Sequence, residues 1–159
     1  MSMQPITSQI MIFGHPLHPG LIHFPVAALI GLIATDLAFL YSGDLFWARA
    51  SLWLAGVGAI GGWIAGLAGL MDMLLVSQIR RLITAWCHAI LAVMLLSLAT
   101  LNWLLRLPDP ASVILPQGLY LSVLSGLLIT VTGYLGGRLV YEYAVGVNID
   151  DMLQQDANP

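Results

Sequence analysis

Four long runs of apolar residues dominate this sequence and restrict the folds that it can adopt. They cover residues 20–41, 48–76, 82–105 and 118–140. A helix needs about 20 mostly apolar residues to cross the hydrocarbon core of a bilayer, and each run is at least that long. We therefore predict four transmembrane helices, called the first to fourth helix in chain order. The sequence lacks the alternation of polar and apolar residues that is typical of a transmembrane β-barrel.

The breaks between the runs are short and contain residues that end helices. Residues 42–44 read Ser-Gly-Asp, residues 77–81 contain two adjacent arginines, and residues 108–116 contain three prolines. Because such short connections join neighbouring helices, consecutive helices must run antiparallel. The predicted fold is all-α, an integral membrane up-down four-helix bundle.

The composition agrees with a chain surrounded by lipid. Only 8% of the residues are charged, against about 25% in ordinary soluble domains. The five basic residues, all arginine, are too few and too scattered to bind nucleic acid. We expect an N-terminal interfacial segment at 1–19 without a cleaved signal peptide, a four-helix transmembrane domain at 20–147, and a short acidic tail at 148–159.

The arginines predict an orientation in the membrane. Arg80, Arg81 and Arg138 fall on the side of both termini, whereas Arg49 and Arg106 fall on the other side. Because loops on the cytoplasmic side carry an excess of basic residues, three arginines against two favour cytoplasmic termini.

The four histidines are predicted to share one leaflet, which is the main clue to function. His15 and His18 precede the first helix, His23 lies near its start, and His88 lies six residues into the third helix. At 1.5 Å of rise per residue, His23 and His88 are roughly 5 and 9 Å below the same membrane surface. The first and third helices of an up-down bundle are diagonal neighbours, with axes roughly 11–14 Å apart. Two imidazoles that reach inward across this gap can bind one metal ion or a haem iron.

Glycines flank this predicted site on the second and fourth helices. At similar depth lie Gly66, Gly69, Gly133 and Gly137. They either leave room for a porphyrin or allow close helix packing of the small-xxx-small type. Arg138, just beyond, either binds a haem propionate or forms a solvated pair with Glu142.

Two aspartates lie within the predicted helices, where an unpaired charge costs about 2.5–3.5 kcal/mol. Asp72, in the histidine leaflet, either orients a ligating imidazole or is a helix-end residue that lies near water or pairs with Arg80. Asp36, in the opposite half of the first helix, is predicted to pair with Arg49 or to bind a hydroxyl group. A role for Asp36 in proton relay remains an alternative.

Residues 14–19, Gly-His-Pro-Leu-His-Pro, together with His23-Phe24-Pro25, resemble a bacterial membrane family known as domain-of-unknown-function family 2231. The resemblance covers most of the chain and continues at Asp36, residues 66–72, His88 and residues 133–137. It implies a small four-helix bundle in the bacterial inner (cytoplasmic) membrane. Some relatives are joined to Rieske-type iron–sulfur or cytochrome-like domains, which implies a redox setting. The resemblance here includes no such domain, so we expect any electron partner to be a separate protein.

We therefore predict a membrane-embedded b-type haem protein for electron transfer, with His23 and His88 as axial ligands. His15 and His18 would shape the mouth of the site or replace one ligand. The alternatives are a transition-metal (copper) site and a cofactor-free structural subunit of a larger membrane complex. Because the sequence contains no nucleophile–base pair and no phosphate-binding loop, an electron-transfer or binding protein is favoured over an enzyme with its own substrate. The expected partners are the lipid bilayer and either a redox protein or further copies of this chain.

Overall fold

The computed structural model describes residues 5–147, which are almost entirely helical. In chain order the elements are β1 (Met11–Ile12), β2 (His15–Pro16), α1 (Leu17–Ser42), α2 (Leu45–Leu75), α3 (Ser77–Arg80), α4 (Ile83–Arg106), α5 (Pro110–Val113), a kinked turn (Ile114–Gly118) and α6 (Leu119–Tyr141). The predicted acidic tail at 148–159 lies outside the described residues.

The four long helices α1, α2, α4 and α6 confirm the predicted all-α membrane bundle. Each is long and apolar enough to cross a bilayer, and α5 with the kinked turn extends the last span back to residue 110. Because α1 begins at Leu17, both His18 and Pro19 lie in its first turn. Proline is tolerated there, since the first amides of a helix have no partner within the helix. The helix therefore begins three residues earlier than residue 20, where the apolar run begins.

The order of the helices around the bundle is also as predicted. The helix α1 packs against α2 and α6, and α4 packs against the same two helices. The helices α1 and α4 therefore face each other across the diagonal. The apolar side chains at the centre of the bundle come from all four long helices and are Leu29, Leu32, Ala55, Ala59, Leu95, Ala99 and Ile129.

Glycines on α2 allow its neighbours to approach closely. A methyl group at Gly58 would lie 2.5 Å from Cδ2 of Leu29 on α1, and one at Gly62 would overlap Leu96 on α4. Small residues at such positions let transmembrane helices pack backbone to side chain. At this height in the bundle, the glycines serve helix packing rather than ligand binding.

Candidate histidine site

Two imidazole rings meet across the diagonal of the bundle, near the end that carries both termini. His18, in the first turn of α1, and His88, in the second turn of α4, have ring centroids 6.2 Å apart. The ring planes are nearly perpendicular, at 86°. Both side chains are half-buried. The structure thus brings together histidines that are 70 positions apart in the chain.

Each of these rings is oriented by a backbone carbonyl of a flanking helix. Nδ1 of His18 lies 2.7 Å from the carbonyl oxygen of Ala65 on α2. Nδ1 of His88 lies 2.9 Å from the carbonyl oxygen of Thr132 on α6. Because a carbonyl oxygen can only accept a hydrogen bond, we assign the proton to Nδ1 in both rings. In the neutral form with this tautomer, Nε2 of each ring keeps the lone pair that binds metals.

Glycines provide the space for both rings. A methyl group at Gly69 would lie 2.9 Å from Nδ1 of His18, and one at Gly136 would lie 3.2 Å from Cε1 of His88. A side chain at either position would displace the adjacent imidazole. Of the predicted glycines, Gly69 therefore contacts the site, on α2.

The predicted glycines differ in what surrounds them. A methyl group at Gly66 would lie 3.3 Å from Cδ1 of Leu96, and one at Gly137 would touch only Tyr141 of its own helix, at 3.9 Å. Nothing lies within 4 Å of the corresponding position at Gly133. The space beside α6 is thus open at Gly133.

His23, the predicted partner of His88, occupies a different face of α1. It lies five residues after His18, so at 3.6 residues per turn the two side chains point about 140° apart. The side chain of His23 is exposed, and so is that of His15 in β2. The imidazole that reaches His88 is that of His18, which the sequence identified only as a replacement ligand.

Asp72 makes neither of the two contacts predicted for it. Its carboxylate accepts hydrogen bonds from the backbone amides of Gln9 and Ile10, at 2.7 and 2.9 Å, and from the hydroxyl of Ser8. Arg80 instead donates to the carbonyl oxygen of Leu74. Asp72 therefore holds the N-terminal segment against the bundle.

Arg138 forms the predicted pair with Glu142 at the end of α6. Its Nε and Nη2 lie 2.8 and 2.6 Å from Oε2 of Glu142. The hydrogen bond from Arg138 lowers the pKa of the Glu142 carboxyl. Both side chains are substantially exposed, so this confirms the solvated pair.

A second polar cluster surrounds Asp36 at the other end of the bundle. The predicted hydroxyl contact of Asp36 is confirmed by Ser122, but Asp36 does not pair with Arg49 as predicted. Its carboxylate binds Arg106 through two hydrogen bonds, of 2.6 and 2.8 Å, and both side chains are fully buried. Arg49 is exposed. Ser122 of α6 donates to Asp36, and Nε of Arg106 donates to Asn102 one turn earlier. The cluster links α1, α4 and α6.

Arg106 is predicted to lie at the water interface, but the connection between α4 and α6 buries it. Because it directly follows the apolar run 82–105, it resembles an interfacial arginine. The segment from α5 through the kinked turn folds back over it: Ile114 is fully buried, and a methyl group at Gly118 would lie 2.8 Å from Nη2 of Arg106. The available signal was the spacing of Asn102 and Arg106, which puts two polar residues on one face of α4.

The number of possible metal ligands at the histidine site is small. Within residues 5–147, no group of three or more histidine, cysteine, aspartate or glutamate side chains could hold one metal ion. Among the described residues, the pair of His18 and His88 is thus not joined by a third side chain of these types.

Comparison with known proteins gives the family. The model of a family described as "Predicted membrane protein (DUF2231)" matches residues 14–149, so the chain belongs to that family. No curated protein and no solved structure matches the chain.

Proposed function

We propose that this member of the family is a membrane-embedded b-type haem protein that transfers electrons, with His18 and His88 as axial ligands. The distance between the two rings carries the proposal. Metal–imidazole bonds are about 2.0–2.1 Å long, so two imidazoles on opposite sides of one metal ion have centroids about 6 Å apart. The distance of 6.2 Å between the rings of His18 and His88 agrees with this value.

The hydrogen bonds of the two rings support the same proposal. A histidine that binds a metal usually donates its other ring N–H to a carbonyl or carboxylate group, which fixes the tautomer and the direction of the lone pair. The carbonyl groups of Ala65 and Thr132 provide such acceptors for His18 and His88.

The number of ligands favours haem over copper or zinc. Zinc sites use three or four protein ligands, and blue-copper sites use three strong ligands with a weak fourth one. A porphyrin supplies four nitrogen ligands to its iron, so haem needs only two axial ligands from the protein. With both axial positions filled by histidine, the iron has no open position, which suits electron transfer rather than oxygen binding.

The exposed arginines support the orientation predicted from the sequence. Arg106 lies in a buried ion pair, so it does not count toward the charge of a loop. The side of the termini then has three exposed or partly exposed arginines, Arg80, Arg81 and Arg138, and the other side has one, Arg49. We place both termini in the cytoplasm and the protein in the bacterial inner membrane, with a separate redox protein or another copy of this chain as the electron partner.

The test is the absorption spectrum of protein that is expressed with ample haem and purified in detergent. We expect a sharp α-band after reduction with dithionite. His18→Ala and His88→Ala should each abolish it, whereas His23→Ala and His15→Ala, which remove exposed rings, should retain it.

Each other outcome has a definite meaning. A featureless spectrum together with bound copper in the same sample would replace haem by a metal site. A featureless spectrum without metal would favour a structural subunit. Loss of the α-band in His23→Ala but not in His18→Ala would show that His23 is the ligand.

A further inference from the structure

Residues 5–16, which we call the N-terminal strap, cross the end of the bundle at which His18 and His88 meet. Near its start, Ile6 pairs with Val145 beyond α6: the amide of Ile6 donates to the carbonyl of Ala144, and the amide of Gly146 donates to the carbonyl of Ile6. At its end, the amide of Leu17 in α1 donates to the carbonyl of Ile10. The strap therefore runs from the end of α6 to the start of α1.

Asp72 on α2 holds the middle of the strap. Its Oδ1 accepts from the amides of Gln9 and Ile10, and its Oδ2 accepts from the hydroxyl of Ser8. The Asp72 side chain is buried, with 7% of the residue exposed. Three hydrogen bonds converge on one buried carboxylate, and hydrogen bonds to charged groups are the stronger ones. Asp72 is thus the principal polar contact between the strap and the long helices.

The position of Asp72 places the strap above His18. Ala65, Gly69 and Asp72 follow one another at spacings of four and three residues, so they lie on one face of α2. The carbonyl of Ala65 binds the His18 ring, and Gly69 contacts that ring. Asp72 is the next residue on this face toward the aqueous end.

The first part of the strap lies on the His88 side. Ile6 packs against a cluster of four buried apolar side chains, Met73, Val76, Ile79 and Ala85. Partly buried Ala89 packs against the same cluster. Ala85 and Ala89 are the third residue before His88 and the first after it on α4. One end of the strap therefore packs against the cluster that contains Ala85, about one turn before His88, and its middle lies above His18.

We propose that the strap is a cover that keeps water away from the His18–His88 pair, and that Asp72 is the positioning residue that holds the cover closed. The redox part of this proposal rests on the proposed haem function, whereas the covering of the two histidines does not. A dry surrounding disfavours the more highly charged oxidised form of a metal centre, so a closed cover raises its midpoint potential.

Hydrogen–deuterium exchange of the purified protein tests whether Asp72 holds the strap. In Asp72→Ala, the amides of Gln9 and Ile10 lose their acceptor and should exchange at least about tenfold faster, because local opening becomes easier. Asp72→Asn keeps one carbonyl acceptor and should give an intermediate rate. Asp44→Ala is the matched control, since Asp44 accepts from the amide of Phe46 at the other end of α2. If the strap exchanges no faster in Asp72→Ala than in Asp44→Ala, Asp72 does not hold it.

Two further measurements test the cover. The first is the rate at which diethylpyrocarbonate modifies His18 and His88 in haem-free protein, read by mass spectrometry; we expect it to rise in Asp72→Ala while the rate for exposed His23 stays constant. The second is the midpoint potential of haem-loaded protein, which should fall in Asp72→Ala and partly recover in Asp72→Asn. Faster strap exchange with unchanged modification of His18 would overturn the cover, whether or not haem binds. Faster modification without any haem spectrum would leave the cover standing and remove the proposed function.

Discussion

Arg106 on α4 binds both carboxylate oxygens of Asp36 on α1, and neither side chain has any exposed surface. These two helices lie on the diagonal of the bundle. Within residues 5–147, the only other polar pair across that diagonal is His18 with His88. The two contacts lie at opposite ends, separated by the apolar centre around Leu32 and Ala99. The bundle is therefore linked across its diagonal by a charge pair at one end and an imidazole pair at the other.

The ion pair should be essential for stability. Arg106→Met leaves the carboxylate of Asp36 buried without its counterion, which typically costs about 3–5 kcal/mol in free energy of unfolding. Arg49→Met is the matched control because Arg49 is exposed, and it should change that free energy by less than about 0.5 kcal/mol. Reversible unfolding in mixed detergent micelles measures both. Equal stability of the two variants would contradict an energetic role for the pair.

Replacing both charges should be less harmful than replacing one. Two apolar residues of similar volume remove the penalty for burying charge as well as the attraction between the charges. The double variant Asp36→Leu/Arg106→Met should therefore be more stable than Arg106→Met alone, measured by the same unfolding transition. A double variant that is no more stable than the single one would show that the hydrogen bonds to Asn102 and Ser122 dominate instead.

Gly69 should be required for the position of the His18 ring. A methyl group there lies 2.9 Å from Nδ1 of His18, so Gly69→Ala must shift the ring and its bond to Ala65. We expect a loss of about 1–3 kcal/mol in free energy of unfolding, which is typical of overpacking, and an altered haem spectrum. Gly133→Ala is the control, since nothing lies within 4 Å of its added methyl group. An unchanged spectrum in Gly69→Ala would mean that the ring is not a ligand in this position.

Packing between α1 and α2 should depend on Gly58 but not on its neighbour Gly61. A methyl group at Gly58 lies 2.5 Å from Cδ2 of Leu29, whereas one at Gly61 lies 3.6 Å from Pro25 in ordinary contact. Gly58→Ala should lower the free energy of unfolding by about 1–3 kcal/mol, and Gly61→Ala should be close to neutral. Both variants should retain the spectrum of the parent protein, because neither residue contacts His18 or His88. Thermal unfolding followed by circular dichroism provides the comparison.

Reporter fusions test the orientation. With both termini in the cytoplasm, a fluorescent protein fused to the C-terminus should fluoresce, and alkaline phosphatase fused there should be inactive. Arg80→Gln and Arg81→Gln, combined with arginines added beside Arg49, shift the excess of basic residues to the other side. This should reverse the orientation or give a mixture of both orientations. An active phosphatase fusion in the unmodified chain would place the histidine site on the other side of the membrane.

Much of the fold was determined by the sequence itself. Runs of apolar residues long enough to span a bilayer must form helices, because lipid offers no partner for an unpaired backbone amide or carbonyl. Short connections then require antiparallel neighbours, which in turn put α1 and α4 on the diagonal and their histidines at one end. These conclusions depend on length and composition alone, and the structure confirms the four-helix bundle.

The tertiary structure alone decided which face of each helix is turned inward. In a soluble helix the apolar stripe marks the buried face, but lipid is as apolar as the interior of the bundle, so α1 shows no such stripe to distinguish His18 from His23. The rotation of α1 follows from its packing on Gly58 and from its start at Leu17. Asp72 is bound by the N-terminal strap, and Asp36 is bound by Arg106, which residues 110–118 cover. No local pattern in the sequence specifies such contacts. They depend on which buried charges and backbone amides still lack a hydrogen-bond partner once the long helices have packed.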